Sequence, residues 1–311
     1  MGSGWGSLAT ILPIDKVIAR IYPVFGITLL IMAFGVGGMM LYNDLPIPEI
    51  TMDHFHPDHL PVWPMLFVTI ACGAISGFHA TQSPLMSRCL PTEAYGLRVF
   101  FGAMVAEGVV ALIWAAAAMS FFPNGIDGLS DTLSKGGAGL VVNEVSMGLL
   151  GSFGGMLAIL GVIACPITSG DTAFRSIRLI FADAFKLKQT GTISRLLLAV
   201  PVFALGLTLA FVDFNVIWRY FAFSNQVLAT IVLWTSAIYM THHEKLHWIA
   251  SLPATFMTAV CVTYLLISRE GLDLSSSIAY PLGALIALAC LVWFNFASQR
   301  EASRSSSSPS V

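Results

Sequence analysis

Gly73-Ala-Ile-Ser-Gly-Phe-His-Ala-Thr-Gln-Ser-Pro84 is the stretch on which the reading of the fold turns. It follows the apolar run Met65–Cys72 and carries two glycines, a histidine, a glutamine and several hydroxyls where a hydrophobic span should be crossing a bilayer. Within lipid an unpaired backbone group costs several kcal/mol, so irregular backbone survives only when buried in protein or lining a wet cavity. A broken span of this kind is one way to build a binding site at the membrane midplane. The competing reading is an unbroken helix that ends at Ser83-Pro84, with His79 turned toward a neighbouring helix. The stretch alone leaves both open.

Composition sets the class. Of 311 residues, 56% are hydrophobic and 10% charged, and the mean hydropathy is +0.81. Soluble domains run at about 25% charged, so the chain reads as an integral membrane protein. A net charge of −2 without a basic patch gives no reason to expect a nucleic-acid partner. The five cysteines (Cys72, Cys89, Cys165, Cys261, Cys290) stand singly in or beside apolar runs, and no CxxC or zinc spacing occurs. They read as small packing residues. The first twenty residues lack the short apolar core and cleavage site of a signal peptide.

Spans of about 20 apolar residues are the membrane unit. Eight are predicted, at 21–42, 61–83, 99–122, 147–170, 193–212, 215–240, 247–267 and 278–297, giving an all-α, polytopic helix bundle. Twelve of the fifteen Lys and Arg residues fall in one set of connections, only Lys135 and Arg269 in the other, and Arg219 lies inside a span. The positive-inside rule then places both termini in the cytoplasm. The expected organisation is a cytoplasmic lead-in (1–20), transporter-like core helices (21–240), two scaffold helices (241–297) and a disordered cytoplasmic tail (298–311). The loop 43–60 contains Asp53-His-Phe-His-Pro-Asp-His59, which has the donor types of a zinc or copper site. A solvated loop is the favoured reading there, because two histidines beside a proline fix no geometry. The Gly- and Ser-rich loop 123–146 is expected to be mobile.

Polar residues inside spans are the functional candidates. Glu107 stands far from both ends of its span; a carboxyl there is costly when ionised and suits a proton carrier, or else it bonds to a neighbouring helix. Gly102, Ala103, Ala106, Gly108 and Ala111 around it suit close helix packing. Thr168, Ser169 and Asp171 place two hydroxyls and a carboxylate together, suited to a hard monovalent cation or a proton. Helix capping by Ser169 or Asp171 explains them equally well, and Asp171 and Arg175 have the spacing of a helical ion pair. Phe174, Ile177, Phe181 and Phe185 form an apolar stripe. Ser224, Asn225 and Gln226 lie deep enough to need internal partners, whereas Arg219, near a span end, reads as snorkelling.

Four stretches, in order, resemble the carbon starvation protein A family of bacterial and archaeal transporters: Ser76-Gly-Phe-His-Ala-Thr-Gln-Ser-Pro-Leu-Met-Ser-Arg88, Phe101-Gly-Ala-Met-Val-Ala-Glu107, Thr168-Ser-Gly-Asp-Thr-Ala-Phe-Arg-Ser-Ile-Arg178 and Phe214-Asn-Val-Ile-Trp-Arg-Tyr-Phe-Ala-Phe-Ser-Asn-Gln226. The resemblance covers residues 10–300 and is to the C-terminal portion of family members, which carry a further block of spans before it. It implies uptake of peptides or pyruvate across the inner membrane during carbon starvation, with H+ or Na+ as coupling ion, no cofactor, and the missing N-terminal half as a partner. It also implies the second half of a five-plus-five inverted-repeat transporter, with 61–83 as a broken helix. On that basis Gly77, His79, Thr81, Gln82, Asn225 and Gln226 would contact substrate, and Glu107, Thr168, Ser169 and Asp171 would handle the ion or proton. Two alternatives belong to other classes: a non-transporting membrane subunit or nutrient sensor, and, far less favoured, an intramembrane enzyme using His79 and Glu107.

Overall fold

The computed structural model describes the backbone of residues 14–47, 49, 61–74, 77–187, 191–212 and 214–307. Side chains are described within these ranges except at 14–22, 71–74, 77–78, 162–168, 171, 192, 214–215 and 299–307. Every regular element among the described residues is helical: α1 (Ile14–Tyr42), α2 (Val62–Ala74), α3 (Gly77–Ser87), α4 (Gly102–Phe121), α5 (Ile126–Ala184), α6 (Thr192–Leu209), α7 (Phe214–His242), α8 (Trp248–Ile267) and α9 (Ser276–Ser307). A 3₁₀ turn (Glu93–Tyr95) and a π-helical turn (Leu97–Phe101) lead into α4. Six helices are long and apolar enough to cross a membrane. This is a polytopic membrane helix bundle. Of the two other predicted spans, the described residues of 61–83 form α2 and α3, and α6 is a shorter apolar helix.

The chain forms two compact units that interleave in sequence, residues 1–55 with 81–212 and residues 56–80 with 213–311. In the first, α1 packs on α4 and α5, and α5 also packs on α6. Val36 and Met40 of α1, Ala117 of α4, and Val141, Val145 and Leu149 of α5 make its buried core. In the second, α8 is central and packs against α2, α7 and α9. Val68, Ala222, Val260 and Tyr264 meet in one cluster, and Ala237, Ala250 and Phe294 in another. Residues 241–297 share a core with α2 and α7, because α8 is apolar on more than one face and buries Met257, Val260 and Tyr264 among its neighbours.

Met257 is 2% exposed. Lipid tails are as apolar as leucine, so association here rests on packing rather than on transfer from water. Met257→Ala is therefore expected to sit at the low end of large-to-small core substitutions, near 2 kcal/mol. A thermal unfolding scan in detergent checks this; an unshifted midpoint would contradict the packing.

Three boundaries differ from expectation. The loop 123–146 is helical from Ile126, because Val141, Val145 and Leu149 recur every fourth residue and bury one face against α1 and α4. What the glycines do is break α5 into three segments, at Gly137 (φ 64°, ψ −167°) and Gly151 (φ 66°, ψ −154°). These conformations are close to glycine-only. The helix is sharply kinked at Gly151 and packs closely on itself across the kink, so that a Cβ on Gly154 would lie 2.1 Å from the Ser146 carbonyl oxygen. At the two ends, α1 begins at Ile14 within the expected lead-in, and α9 runs to Ser307 through the expected tail. Gln299, Arg300, Glu301 and Ala302 are good helix formers and simply extend it.

Candidate functional site

The described helical stretches α2 and α3 flank residues 75–76, which lie outside the described residues. The helix α3 opens at Gly77 and continues through Pro84 to Ser87, rather than ending at Ser83-Pro84. A proline is tolerated there because neighbouring groups in a membrane bundle can re-satisfy the backbone carbonyl it frees. His79, in the first turn of α3, is half-buried.

One turn further on, in the first unit, α3 meets α5 through side chains. Gln82 Nε2 donates to Ser176 Oγ at 3.0 Å and to Thr81 Oγ1 at 3.3 Å. Ser176, 4% exposed, donates in turn to the Thr172 carbonyl at 2.9 Å, and Thr172 Oγ1 donates to the Ser169 carbonyl at 3.0 Å. This chain fixes the orientation of the amide. Ser176 spends its proton on Thr172 and offers Gln82 only a lone pair, so the amide nitrogen must face it. Among the described residues Gln82 Oε1 is then left buried with no hydrogen-bond partner. Leaving such an acceptor unmade costs about 1–3 kcal/mol, and each instance in a native protein calls for an explanation. The carbonyl can accept a hydrogen bond from a solute N–H or O–H group.

The other candidates fall in different places. Ser169 is exposed, while the side chains of Thr168 and Asp171 and the whole of Asp53–His59 lie outside the described residues. Glu107 is exposed on α4 and is not sealed in the interior of its unit. The packed part of α4 is its C-terminal half, where Ile113, Trp114 and Ala117 meet α1 and α5; the turn carrying Glu107 comes before that contact. In the second unit Asn225 is 6% exposed and Gln226 fully buried. Gln226 Nε2 donates to the backbone carbonyls of Val68 at 3.0 Å and Phe67 at 3.3 Å, so this amide joins α7 to α2. Its Oε1 also lacks a partner among the described residues. Arg219, expected to snorkel, pairs instead with Glu270 at 2.5 Å. Both members are partly exposed, which keeps the pair's worth low. Trp234 donates to Thr258 Oγ1 at 3.0 Å and is a packing residue of α7 and α8.

Sequence reasoning missed two residues. Ser176 continues the series Thr168, Thr172, Ser176, a hydroxyl on every fourth residue and hence on one helical face. That spacing was available to find it. Arg178 is 8% exposed in the same segment of α5; burial, then Arg195 and Arg175, lowers its pKa from the ordinary arginine value. Of the aromatic stripe only Phe174 is packed, its ring centroid 4.3 Å from that of Phe203 on α6, whereas Phe181 and Phe185 stay exposed.

The family model described as carbon starvation protein CstA matches residues 3–126 and 124–264. The chain belongs to this family. Its relatives include an uncharacterized protein of Haemophilus influenzae, 53% identical over 39% of this chain and 88% of the relative. The peptide transporter CstA of Escherichia coli is 25% identical over 84% of this chain and 48% of the transporter. The pyruvate/proton symporter BtsT of the same organism is 31% identical over 39% of this chain and 18% of the symporter. The chain thus spans about half, or less, of the named CstA-family transporters that it matches. No solved structure matches it.

Proposed function

We propose that this chain supplies about half of the helices of a secondary active transporter in the inner membrane. It works together with the helices that its longer relatives carry in addition, and takes up a small solute under nutrient limitation, with proton coupling. The relatives named as a peptide transporter and a pyruvate/proton symporter support the class. The observation that carries the reading of the site is Gln82 Oε1, a buried acceptor held in place by the Thr81–Gln82–Ser176 network. An acceptor at that point fits a solute bringing hydrogen-bond donors. A peptide has amide N–H groups and an ammonium to offer, whereas pyruvate at neutral pH offers only acceptors, so a peptide is the preferred substrate.

The test is accumulation of radiolabelled dipeptide, and separately of pyruvate, by vesicles reconstituted with this chain and the remaining helices of the E. coli relative under an imposed proton gradient. Gradient-dependent accumulation of dipeptide above pyruvate is expected. Accumulation of neither, with the protein correctly inserted, would favour the non-transporting subunit or sensor.

A further inference from the structure

A groove of about 930 Å³ runs between the C-terminal half of α1 and the middle of α4, within the first unit. That volume lies within the range of about 300–1,000 Å³ typical of small-molecule pockets. Its walls are apolar, with Gly38 and Leu41 from α1, Ile47 from the segment beyond it, and Leu112 and Ile113 from α4. The wall at Gly38 is open, since a Cβ added there would meet nothing within 4 Å. Leu41 and Leu112 are 77% and 72% exposed, so the groove opens sideways from helices that span the membrane.

The groove's depth in the membrane can be read from α1. The apolar span ends at Tyr42, which is exposed at the position where tyrosines mark the lipid–water boundary. Immediately after it the helix closes through bonds from the Asn43 and Leu45 amides to the Met39 and Met40 carbonyls. This holds Asp44, at φ 49°, in the lining of the groove. Asp44 is the one ionisable group in that lining among the described residues, and Glu49 stands exposed just beyond. The groove therefore has hydrocarbon walls at membrane depth and a carboxylate at headgroup depth.

We infer that this groove is a binding site for a phospholipid with an ammonium headgroup, the acyl chain lying along Gly38 and Leu112 and the ammonium reaching Asp44. Chemistry selects this occupant. An acyl chain matches the walls, a cationic amine complements Asp44 and Glu49, and a headgroup of net negative charge is repelled by both. The site is independent of the Gln82 network and of any transported solute.

The experiment uses the whole chain purified from membranes, exchanged into bilayer discs of phosphatidylethanolamine and phosphatidylglycerol in equal amounts, then released for native mass spectrometry. Wild type is expected to retain phosphatidylethanolamine over phosphatidylglycerol by about two- to fivefold, the range that one boundary ion pair supports. Asp44→Asn should equalise the two lipids. Gly38→Phe, which fills the open wall, should abolish retention of both. Circular dichroism of each variant, and a second blocking substitution, Ala116→Phe, guard against loss of fold. Equal retention by wild type, no retention by wild type, or retention unaffected by either blocking substitution in a folded protein would each overturn the assignment.

Discussion

Uptake falls to background when Gln82 or His79 is replaced by alanine in a transporter completed with the family's remaining helices, while insertion into the membrane is unchanged. For Gln82 the argument is geometric. Its side chain bonds Ser176 and Thr81 and turns a buried carbonyl away from both. Alanine removes the acceptor and also strands Ser176 Oγ without its incoming donor. Sites built around hydrogen bonds discriminate far more strongly than apolar ones, because a lost partner leaves buried groups unpaired. A fall of about 5- to 150-fold follows from one such loss at about 1–3 kcal/mol. Ser176→Ala should cost less, since it removes only the anchor. The double variant should then be less impaired than the two single effects predict, which is the signature of a shared contact. His79 stands one turn earlier on the same short helix, and its loss should act on the solute directly. Uptake that survives both alanine variants would remove the site from α3.

Gly151→Ala and Gly154→Ala lower the stability of the first unit, the second more than the first. At Gly151 the backbone has φ 66° and ψ −154°, where a side chain costs about 1–3 kcal/mol. At Gly154 the obstacle is contact: an added Cβ would sit 2.1 Å from the Ser146 carbonyl oxygen and 2.5 Å from Leu150 Cβ. Neither atom is the far end of a flexible side chain, so the segments on either side of the kink must separate. That separation moves Val145 and Leu149 out of the core they share with Val36 and Ala117. Thermal melting in detergent, followed by tryptophan emission from Trp114, measures both effects. Wild-type melting of Gly154→Ala would mean that the close packing across the kink at Gly151 is not a fixed feature of the fold.

Where apolar length was the signal, the sequence was legible. The helices α1, α4, α7, α8 and α9 cover the predicted spans to within a few residues, except where α1 starts early and α9 ends late. The region 123–146 was misread because its glycines and serines outweighed Val141, Val145 and Leu149 in a judgement made on composition. A buried helix of small residues and a mobile loop share a composition and differ only in spacing. Polar position was legible for Gln226 and Asn225, whose depth demanded internal partners, and both are buried. It was not legible for Glu107. Which face of a helix is covered depends on the neighbours present, and a single helix's residues do not carry that information. Ser176 is legible in principle, since the hydroxyl series that begins at Thr168 extends to it at a spacing of four.

The Gln226 amide has a mechanical consequence. It grips two consecutive peptide oxygens of α2, at Phe67 and Val68, from a side chain with no access to water. Were α2 to slip along its axis by a single residue, one of those oxygens would pass out of reach with no solvent on hand to replace it. A screw-like advance of α2 past α7 is thereby blocked, and the two can travel only as a keyed pair.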